Sequence, residues 1–312
     1  MKNIYIVLTV VVIAIVAVYA YFTLTDSPDP SFERPLAPEA PLVTGPELAT
    51  STETTPEIVE ATDRGTESTI GTSENGADIK AYHFGTGSTE VTLISGIHGG
   101  YSWNTALLGF EIVDWLKANP NIIPEELTVT VIPVLNPDGL RTLTKKDGRF
   151  TSSDVSGASE AAKVAARFNA NTVDINRNFA CDWSATGTWQ SRSVSGGTAA
   201  FSEPEAKAIR SYVDTYSPKA IITWYSSQGG VYASKCGGAI LPKTTELTNL
   251  YAKASGYTAY AEYDYYDLTG DMVNWFASEN IPAISVLLTN HSETELIKNQ
   301  AGILAFFKYA IE

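Results

Sequence analysis

The longest apolar run in the chain lies near its start. From Ile4 to Leu24, 21 residues carry neither a charge nor a proline, and Lys2 precedes them. A helix needs about 20 such residues to cross a bilayer, and its positively charged end stays inside. The run therefore predicts a membrane anchor over residues 1–25, with the remainder of the chain on the extracytoplasmic side. The alternative is a signal peptide cleaved after Ala20, although the apolar part of such peptides is usually about 7–15 residues long.

From residue 76 onward, short β-type runs alternate with helical periodicity. Strands are predicted at DIKAYHFG, TEVTLIS, LTVTVIPVL, KAIITWY and PAISVLL, the first two joined by a turn at TGS. Helices are predicted at TALLGFEIVDWLKANP, FSEPEAKAIRSYVDTYSP, GDMVNWFASENI and ETELIKNQAGILAFFKYAI. Ser202 and Glu205 have the spacing of a capping box, and Asn-Pro-Asp-Gly predicts a tight turn after the third strand.

This alternation predicts a single α/β domain over residues 76–312, with helices on both faces of a central sheet. Binding sites in such sheets lie outside the carboxyl ends of the strands. The residues that follow TLIS, VIPVL, IITW and ISVL are therefore the candidates for function.

Composition separates the anchor from the domain. Residues 26–75 hold 7 of the 15 prolines and 11 acidic against 2 basic residues, which predicts an acidic, Pro/Thr-rich disordered linker. No basic stretch is present, so nucleic acid is not an expected partner. Cys181 and Cys236 can pair in an exported domain or remain buried thiols, and the sequence leaves both possibilities open.

Seven separated segments resemble, in the same order, segments of the zinc carboxypeptidase family (carboxypeptidase A-like). They are GTSENGADIKAYHFG, GIHGG, NPDG, RFNANTVDINRNF, AFSEPEAKAI, WYSSQGG and IPAISVLLTNHSETE, and together they cover about residues 70–312. The resemblance implies a mixed, mostly parallel sheet and binding of peptides at their C-termini.

The zinc half of the family's site is altered in this sequence. The resemblance implies a His-x-x-Glu motif, a distant histidine and a catalytic glutamate, but only His98 is present, and Tyr101, Ser226 and Leu287 stand at the other positions. A phenol with a pKa of about 10 and a serine hydroxyl are poor zinc ligands, and leucine carries no proton. We therefore expect a degenerate site without zinc, in which His98 is satisfied by hydrogen bonds, and we interpret His291 as a capping or surface residue.

The carboxylate-binding half is retained. Asn176 and Arg177 match the family's grip on the terminal carboxylate, and Arg167 matches the arginine that holds the oxyanion during catalysis. A guanidinium offers a planar fork that fits a carboxylate. The alternative for Arg177 is an internal ion pair with Asp174. The family's mobile tyrosine falls on either Tyr265 or Tyr266.

Three functions remain open from the sequence. The first is a membrane-tethered, catalytically inactive domain that binds peptides or cell-wall peptides through a free C-terminal carboxylate. The second is an active zinc carboxypeptidase with displaced ligands, such as His98 together with His291. The third is a structural or interaction module whose cleft is filled, with Tyr101 and Leu287 as the plugs.

Overall fold

The computed structural model describes residues 64–146 and 148–312. Eight of the ten strands in this part of the chain form one mixed sheet, in the order β1-β2-β4-β3-β7-β10-β8-β9, and β5 and β6 form a separate hairpin. In chain order the strands are β1 Glu67–Thr72, β2 Asp78–Phe84, β3 Thr89–Ile94, β4 Leu127–Ile132, β5 Thr186–Trp189, β6 Arg192–Ser195, β7 Ala220–Ser226, β8 Gly230–Ala233, β9 Ala259–Tyr260 and β10 Ala283–Leu288.

Four adjacent strands, β4-β3-β7-β10, run parallel and bring their carboxyl ends to the same edge of the sheet. The α-helices are α1 Trp103–Ala118, α2 Pro137–Thr144, α3 Glu160–Ala165, α4 Pro204–Tyr216, α5 Pro242–Ser255, α6 Met272–Ser278 and α7 Leu296–Ile311, and short 3₁₀ turns lie at Pro120–Ile122, Ser152–Val155 and Ile175–Arg177.

The two faces of the sheet bury separate apolar cores. Because side chains alternate along a strand, Ile222 and Trp224 of β7 pack with α1, α5 and α7 on one face. Ile221 and Tyr225 of the same strand face α4 and α6 on the other. Helices therefore cover both faces, as the sequence predicts.

The predicted pairing of the first two strands is wrong. β2 and β3 do not form a hairpin, because β4 lies between them, antiparallel to β2 and parallel to β3. β3 is buried along nearly its whole length, and a strand buried on both faces belongs in the interior of a sheet. The hairpin partner of β2 is β1, which lies within the segment that composition assigned to the linker.

Two local predictions also differ from the structure. Glu203, not Ser202, is the N-cap of α4, and the Ser202 hydroxyl donates to the Glu203 carboxylate instead of capping the helix. Asn136 is not a turn residue but the N-cap of α2, since its side-chain oxygen accepts a hydrogen bond from the amide of Gly139 at 2.8 Å. The proline that follows it occupies the first helical turn, where a missing N–H costs nothing.

Cys181 and Cys236 form a disulfide, with their Cα atoms 5.7 Å apart. Between residues 64 and 312, leaving out 147, no helix is both long enough and apolar enough to cross a membrane. The anchor predicted over residues 1–25, and most of the linker, lie outside the described residues.

Candidate active site

A cavity of about 370 Å³ opens at the carboxyl ends of β3, β7 and β10. The structure places all nine residues selected from the sequence around it: His98, Tyr101, Arg167, Asn176, Arg177, Ser226, Tyr265, Tyr266 and Leu287. Further lining residues that the sequence did not single out are Trp189, Gln190, Tyr225, Tyr263 and Asp271.

His98 is delivered by a tight turn after β3. Gly96, with φ of +66°, allows this turn, because a Cβ there would lie 2.8 Å from the carbonyl oxygen of Pro133. Both imidazole nitrogens of His98 are buried and lack a hydrogen-bond partner, which differs from the expectation of a satisfied histidine. Nε2 lies 3.9 Å from Oδ1 of Asp174, too far for a hydrogen bond. Burial, reinforced by the positive charge of Arg167, holds the pKa of His98 well below its usual value, so the ring is neutral.

Arg167, not Arg177, is the partner of Asp174. Its Nε and Nη2 both donate to Oδ2 of that carboxylate, at 2.9 and 2.8 Å. The guanidinium also stacks over the ring of Trp189, with 4.4 Å between Cζ and the ring centroid. The ion pair that was the alternative for Arg177 therefore does not form, and Arg167 is fixed beside the cavity.

Arg177 is fully buried and makes no ion pair in the described part of the chain. Its Nη1 donates to the carbonyl of Asn176 and its Nη2 to the carbonyl of Thr188 in β5, both at 2.8 Å. Its Nε has no partner. Gly270 makes room for this arrangement, because a Cβ there would lie 2.1 Å from the Arg177 carbonyl oxygen. A permanent positive charge thus lies against the cavity, hydrogen-bonded to neutral carbonyls, and the carboxylate of Asp271 is near enough to interact with it electrostatically without forming an ion pair.

The side-chain amide of Asn176 is hydrogen-bonded to other residues of the protein. Its Nδ2 donates to Asp271 at 2.7 Å, and its Oδ1 accepts from the amide of Met272 and the hydroxyl of Tyr225. The side chain therefore ties the turn of Arg177 to the start of α6 and the end of β7. Burial raises the pKa of Asp271, against the hydrogen bonds that stabilise its charge.

Tyr225, rather than Ser226, packs against His98. The two ring centroids are 5.5 Å apart, and Tyr225 pairs directly with Leu287 across β7 and β10. Ser226 is the next residue on the strand and its hydroxyl contacts His291 instead. Tyr225 was not predicted from the sequence, because the family's distant histidine was matched to the next residue, Ser226. The pleat of the buried strand was the signal that could have found it.

His291 is part of the cavity wall, which corrects its interpretation as a capping or surface residue. Its Nδ1 lies 3.0 Å from Oγ of Ser226, and its ring packs edge-on against Tyr101, with centroids 4.8 Å apart. The segment after β10 folds back over the strand ends, and sequence periodicity carries no information on such a loop.

Tyr265 and Tyr266, the two candidates for the family's mobile tyrosine, have different environments in the segment after β9. The ring centroid of Tyr266 is 5.7 Å from Cζ of Arg177, whereas Tyr265 is 54% exposed. Tyr263 contacts both rings, with centroids 5.1 Å away in each case. Tyr266 is therefore the tyrosine that covers the buried guanidinium.

Within the described residues, His98 belongs to no group of three or more metal-binding side chains. Across residues 64–146 and 148–312, the one group of three His, Cys, Asp or Glu ligand atoms within 4.8 Å of one another consists of Cys181, Asp182 and Cys236. The two sulfur atoms of that group are bonded to each other in the disulfide.

The family model described as "Zinc carboxypeptidase" matches residues 56–305 of the chain. Among solved structures, the chain is similar to a murein-tripeptide amidase from Escherichia coli O157, with 19% identity, a TM-score of 0.55 and coverage of 78% of this chain and 91% of that one. It is also similar to bovine thrombin-activatable fibrinolysis inhibitor, at 17% identity, a TM-score of 0.59 and coverage of 78% and 88%. Carboxypeptidase A from Helicoverpa armigera matches at 18% identity, with a TM-score of 0.58 and coverage of 79% and 67%. No curated protein matches the sequence.

Proposed function

Because the chain belongs to the zinc carboxypeptidase family, we propose that its domain binds peptides through their free C-terminal carboxylate and has lost zinc-dependent hydrolysis. The proposed carboxylate binding rests on the environment of Arg177. Its guanidinium is 0% exposed, adjoins an open cavity and lacks any ion-pair partner among the described residues. Buried charges are otherwise paired, because removing an ion from water costs several kcal/mol.

A bound carboxylate compensates this charge. Nε of Arg177 is the donor left without a partner, and a carboxylate can accept from it while facing the guanidinium plane. The ring of Tyr266 lies over this arginine and lines the same cavity, so it would contact the bound ligand. Arg167, held by Asp174, then contacts the part of the peptide nearer the mouth of the cavity.

The donors around His98 support the second half of the proposal. A catalytic zinc takes three protein ligands and one open position, and it acts by activating a water molecule. Here the ring of Tyr225 packs against His98 and the carboxylate of Asp174, already paired with Arg167, lies 3.9 Å away. Tyr101, Leu287 and a second imidazole, His291, line the same cavity. Burial raises the pKa of both tyrosines, which disfavours the phenolate that a metal would require. This donor set does not fit zinc, and Leu287 offers no base.

The unpartnered nitrogens of His98 favour one competing function, an active metallocarboxypeptidase whose displaced ligands include His291. Metal analysis of the protein purified without chelators separates the two. We expect less than about 0.1 zinc per chain. Stoichiometric zinc, together with release of C-terminal residues from a peptide, would overturn our proposal in favour of the active enzyme. The third possibility, a filled cleft with Arg177 paired to Asp174, is disfavoured by the open cavity and by the pairing of Asp174 with Arg167.

We further propose that the ligands are cell-wall peptides and that the domain is tethered on the extracytoplasmic face of a membrane. The amidase among the similar structures is named for a murein tripeptide, which supports this class of ligand. The Cys181–Cys236 disulfide supports an oxidising compartment outside the cytoplasm. The tether rests on the apolar run from Ile4 to Leu24 in the sequence.

Calorimetric titration of the full chain with a tripeptide and with its C-terminal amide tests carboxylate binding. We expect the amide to bind at least 10-fold more weakly, since it loses a charge-assisted hydrogen bond. Arg177→Gln is expected to abolish the preference, and Arg210→Gln is the matched control, because Arg210 is an exposed arginine on α4 that does not line the cavity. Equal binding of both peptides to the wild-type protein, or no binding of either, contradicts the proposal without reference to any variant.

A further inference from the structure

A chain of hydrogen bonds along the cavity rim joins Asn104, Ser226 and His291. Asn104, at the start of α1, is fully buried, and its Nδ2 donates to the backbone carbonyls of Asn290 and Glu293, at 2.8 and 2.9 Å. Carbonyl oxygens only accept, so the amide orientation is fixed and Oδ1 must face the other way. There it lies 2.9 Å from Oγ of Ser226.

This geometry determines where the Ser226 proton goes. Oδ1 of Asn104 is an acceptor only, and leaving it unsatisfied in the interior costs about 1–3 kcal/mol. The Ser226 hydroxyl therefore donates to Asn104 and has only lone pairs left for its second neighbour. That neighbour is Nδ1 of His291, at 3.0 Å, which must then be the donor. The neutral His291 ring thus carries its proton on Nδ1 and a free lone pair on Nε2.

The lone pair of Nε2 has no protein partner within the described residues. His291 lines the cavity that contains Arg177 and also a neighbouring depression bounded by Trp103 and Lys163. It therefore stands on the wall that the two cavities share. Burial lowers the pKa of His291, which keeps the ring neutral and the lone pair available at pH 7.

We propose that Nε2 of His291 accepts a backbone amide N–H of the bound peptide, either that of the terminal residue, whose carboxylate meets Arg177, or that of the residue before it. This inference rests on the proposed function, and it defines the ligand further: a peptide of at least two residues, not a single amino acid. Ser226 and Asn104 act as positioning residues, because they fix the tautomer that makes His291 an acceptor. Tyr101 holds the imidazole edge-on from the other side.

The tautomer is tested first, because it does not depend on any ligand. Long-range ¹⁵N–¹H NMR of the full chain distinguishes the two neutral forms, and only His83, His98 and His291 need to be assigned. We expect the Nδ1–H form for His291 in the wild-type protein and a mixture with the Nε2–H form in Ser226→Ala. An Nε2–H form in the wild-type protein overturns the inference and leaves carboxylate binding untouched.

Ligand recognition is tested with trialanine and two ester analogues, in which lactate replaces either the second or the third alanine. Each analogue keeps the carboxylate and loses one N–H. We expect one of the two esters to bind the wild-type protein about 3–10-fold more weakly than trialanine, as for one hydrogen bond. In His291→Phe that difference should disappear, while His83→Gln, a histidine variant on β2, should retain it.

Two outcomes overturn the inference. Either both esters bind the wild-type protein as well as trialanine does, or the ester penalty persists in His291→Phe. In both cases trialanine still binds more tightly than its C-terminal amide if the proposed function holds, so failure of the inference and failure of the function are distinguishable.

Discussion

The buried carboxyl group of Glu205 makes the stability of the domain depend on pH. Glu205 lies in the first turn of α4, 0% exposed, where its oxygens accept from Nδ2 of Asn169 at 3.1 Å and from the amide of Glu74 at 3.2 Å. Burial outweighs these bonds, and the nearby charge of Asp138 adds to it, so the pKa rises from 4.5 to about 7. The protonated carboxyl group is therefore the form that the folded protein prefers.

The sign and size of the effect follow from proton linkage. Between pH 4.5 and about 7 the folded state keeps the Glu205 proton and the unfolded state loses it, so the stability contributed by this group is complete below pH 4.5 and disappears as the pH rises through 7. At about 1.4 kcal/mol per pH unit, the total is about 3 kcal/mol. Glu205→Gln keeps a neutral side chain at every pH, so it should gain about 3 kcal/mol on the wild-type protein between pH 4.5 and pH 8.

Urea unfolding followed by tryptophan fluorescence, at pH 5, 6, 7 and 8, measures this difference. The comparison must be between wild type and variant, because burial also lowers the pKa of His83 to about 4, which makes stability rise with pH over an overlapping range. Glu125→Gln, at an exposed site, controls for the loss of one negative charge. A wild-type minus Glu205→Gln difference that stays constant across this pH range, or that changes in the wild-type protein's favour as pH rises, refutes the reasoning.

Two further predictions concern the disulfide and the glycine that adjoins Arg177. The double variant Cys181→Ala/Cys236→Ala should lose about 4 kcal/mol of unfolding free energy, because the disulfide closes a loop with a sequence separation of 55 and so lowers the entropy of the unfolded chain. A loss below about 1 kcal/mol in urea unfolding would contradict this reasoning. Gly270→Ala should lose at least about 2 kcal/mol, since φ is +60° and the new Cβ meets the carbonyl of Arg177, and calorimetry should show weaker carboxylate binding. Gly256→Ala, with φ of +77° and nothing within 4 Å of the new Cβ, is its control, and equal stability of the two variants would count against the close contact.

The parts of the fold that follow from local pattern were predictable from the sequence. β7 and β10 are continuous apolar runs that only a sheet covered on both faces can bury, and their order places the site at their carboxyl ends. The partner of β2 was not predictable in this way. A short turn between two strands favours a hairpin locally, and the insertion of β4 depends on burial of β3 from both sides, which is a property of the assembled sheet.

The candidate site shows the same division. The residues of DINRNF lie on one short turn, so sequence alone brings Asn176 and Arg177 together, but it cannot say which arginine reaches Asp174. That choice depends on the segment carrying Arg167, which approaches from seven residues upstream and stacks under Trp189. Tyr225 comes to the cavity through the alternation of side chains along β7, which residue spacing could have shown. His291 comes through a returning loop, which leaves no trace in residue spacing.

The hairpin formed by β5 and β6 has a consequence for how ligand binding can be observed. Isolated two-stranded hairpins are marginal in water, and this one is joined to the domain by a bond from Arg177 to the Thr188 carbonyl, by a bond from the Asp174 amide to the Ser195 carbonyl and by the packing of Trp189 against Arg167. Its opening is expected to need less free energy than global unfolding. Since the closed hairpin holds Arg177 in place, any ligand on that guanidinium must suppress the opening by its own binding free energy. The hydrogen-exchange rates of the hairpin amides therefore report whether a ligand occupies Arg177, even when that ligand has not been identified.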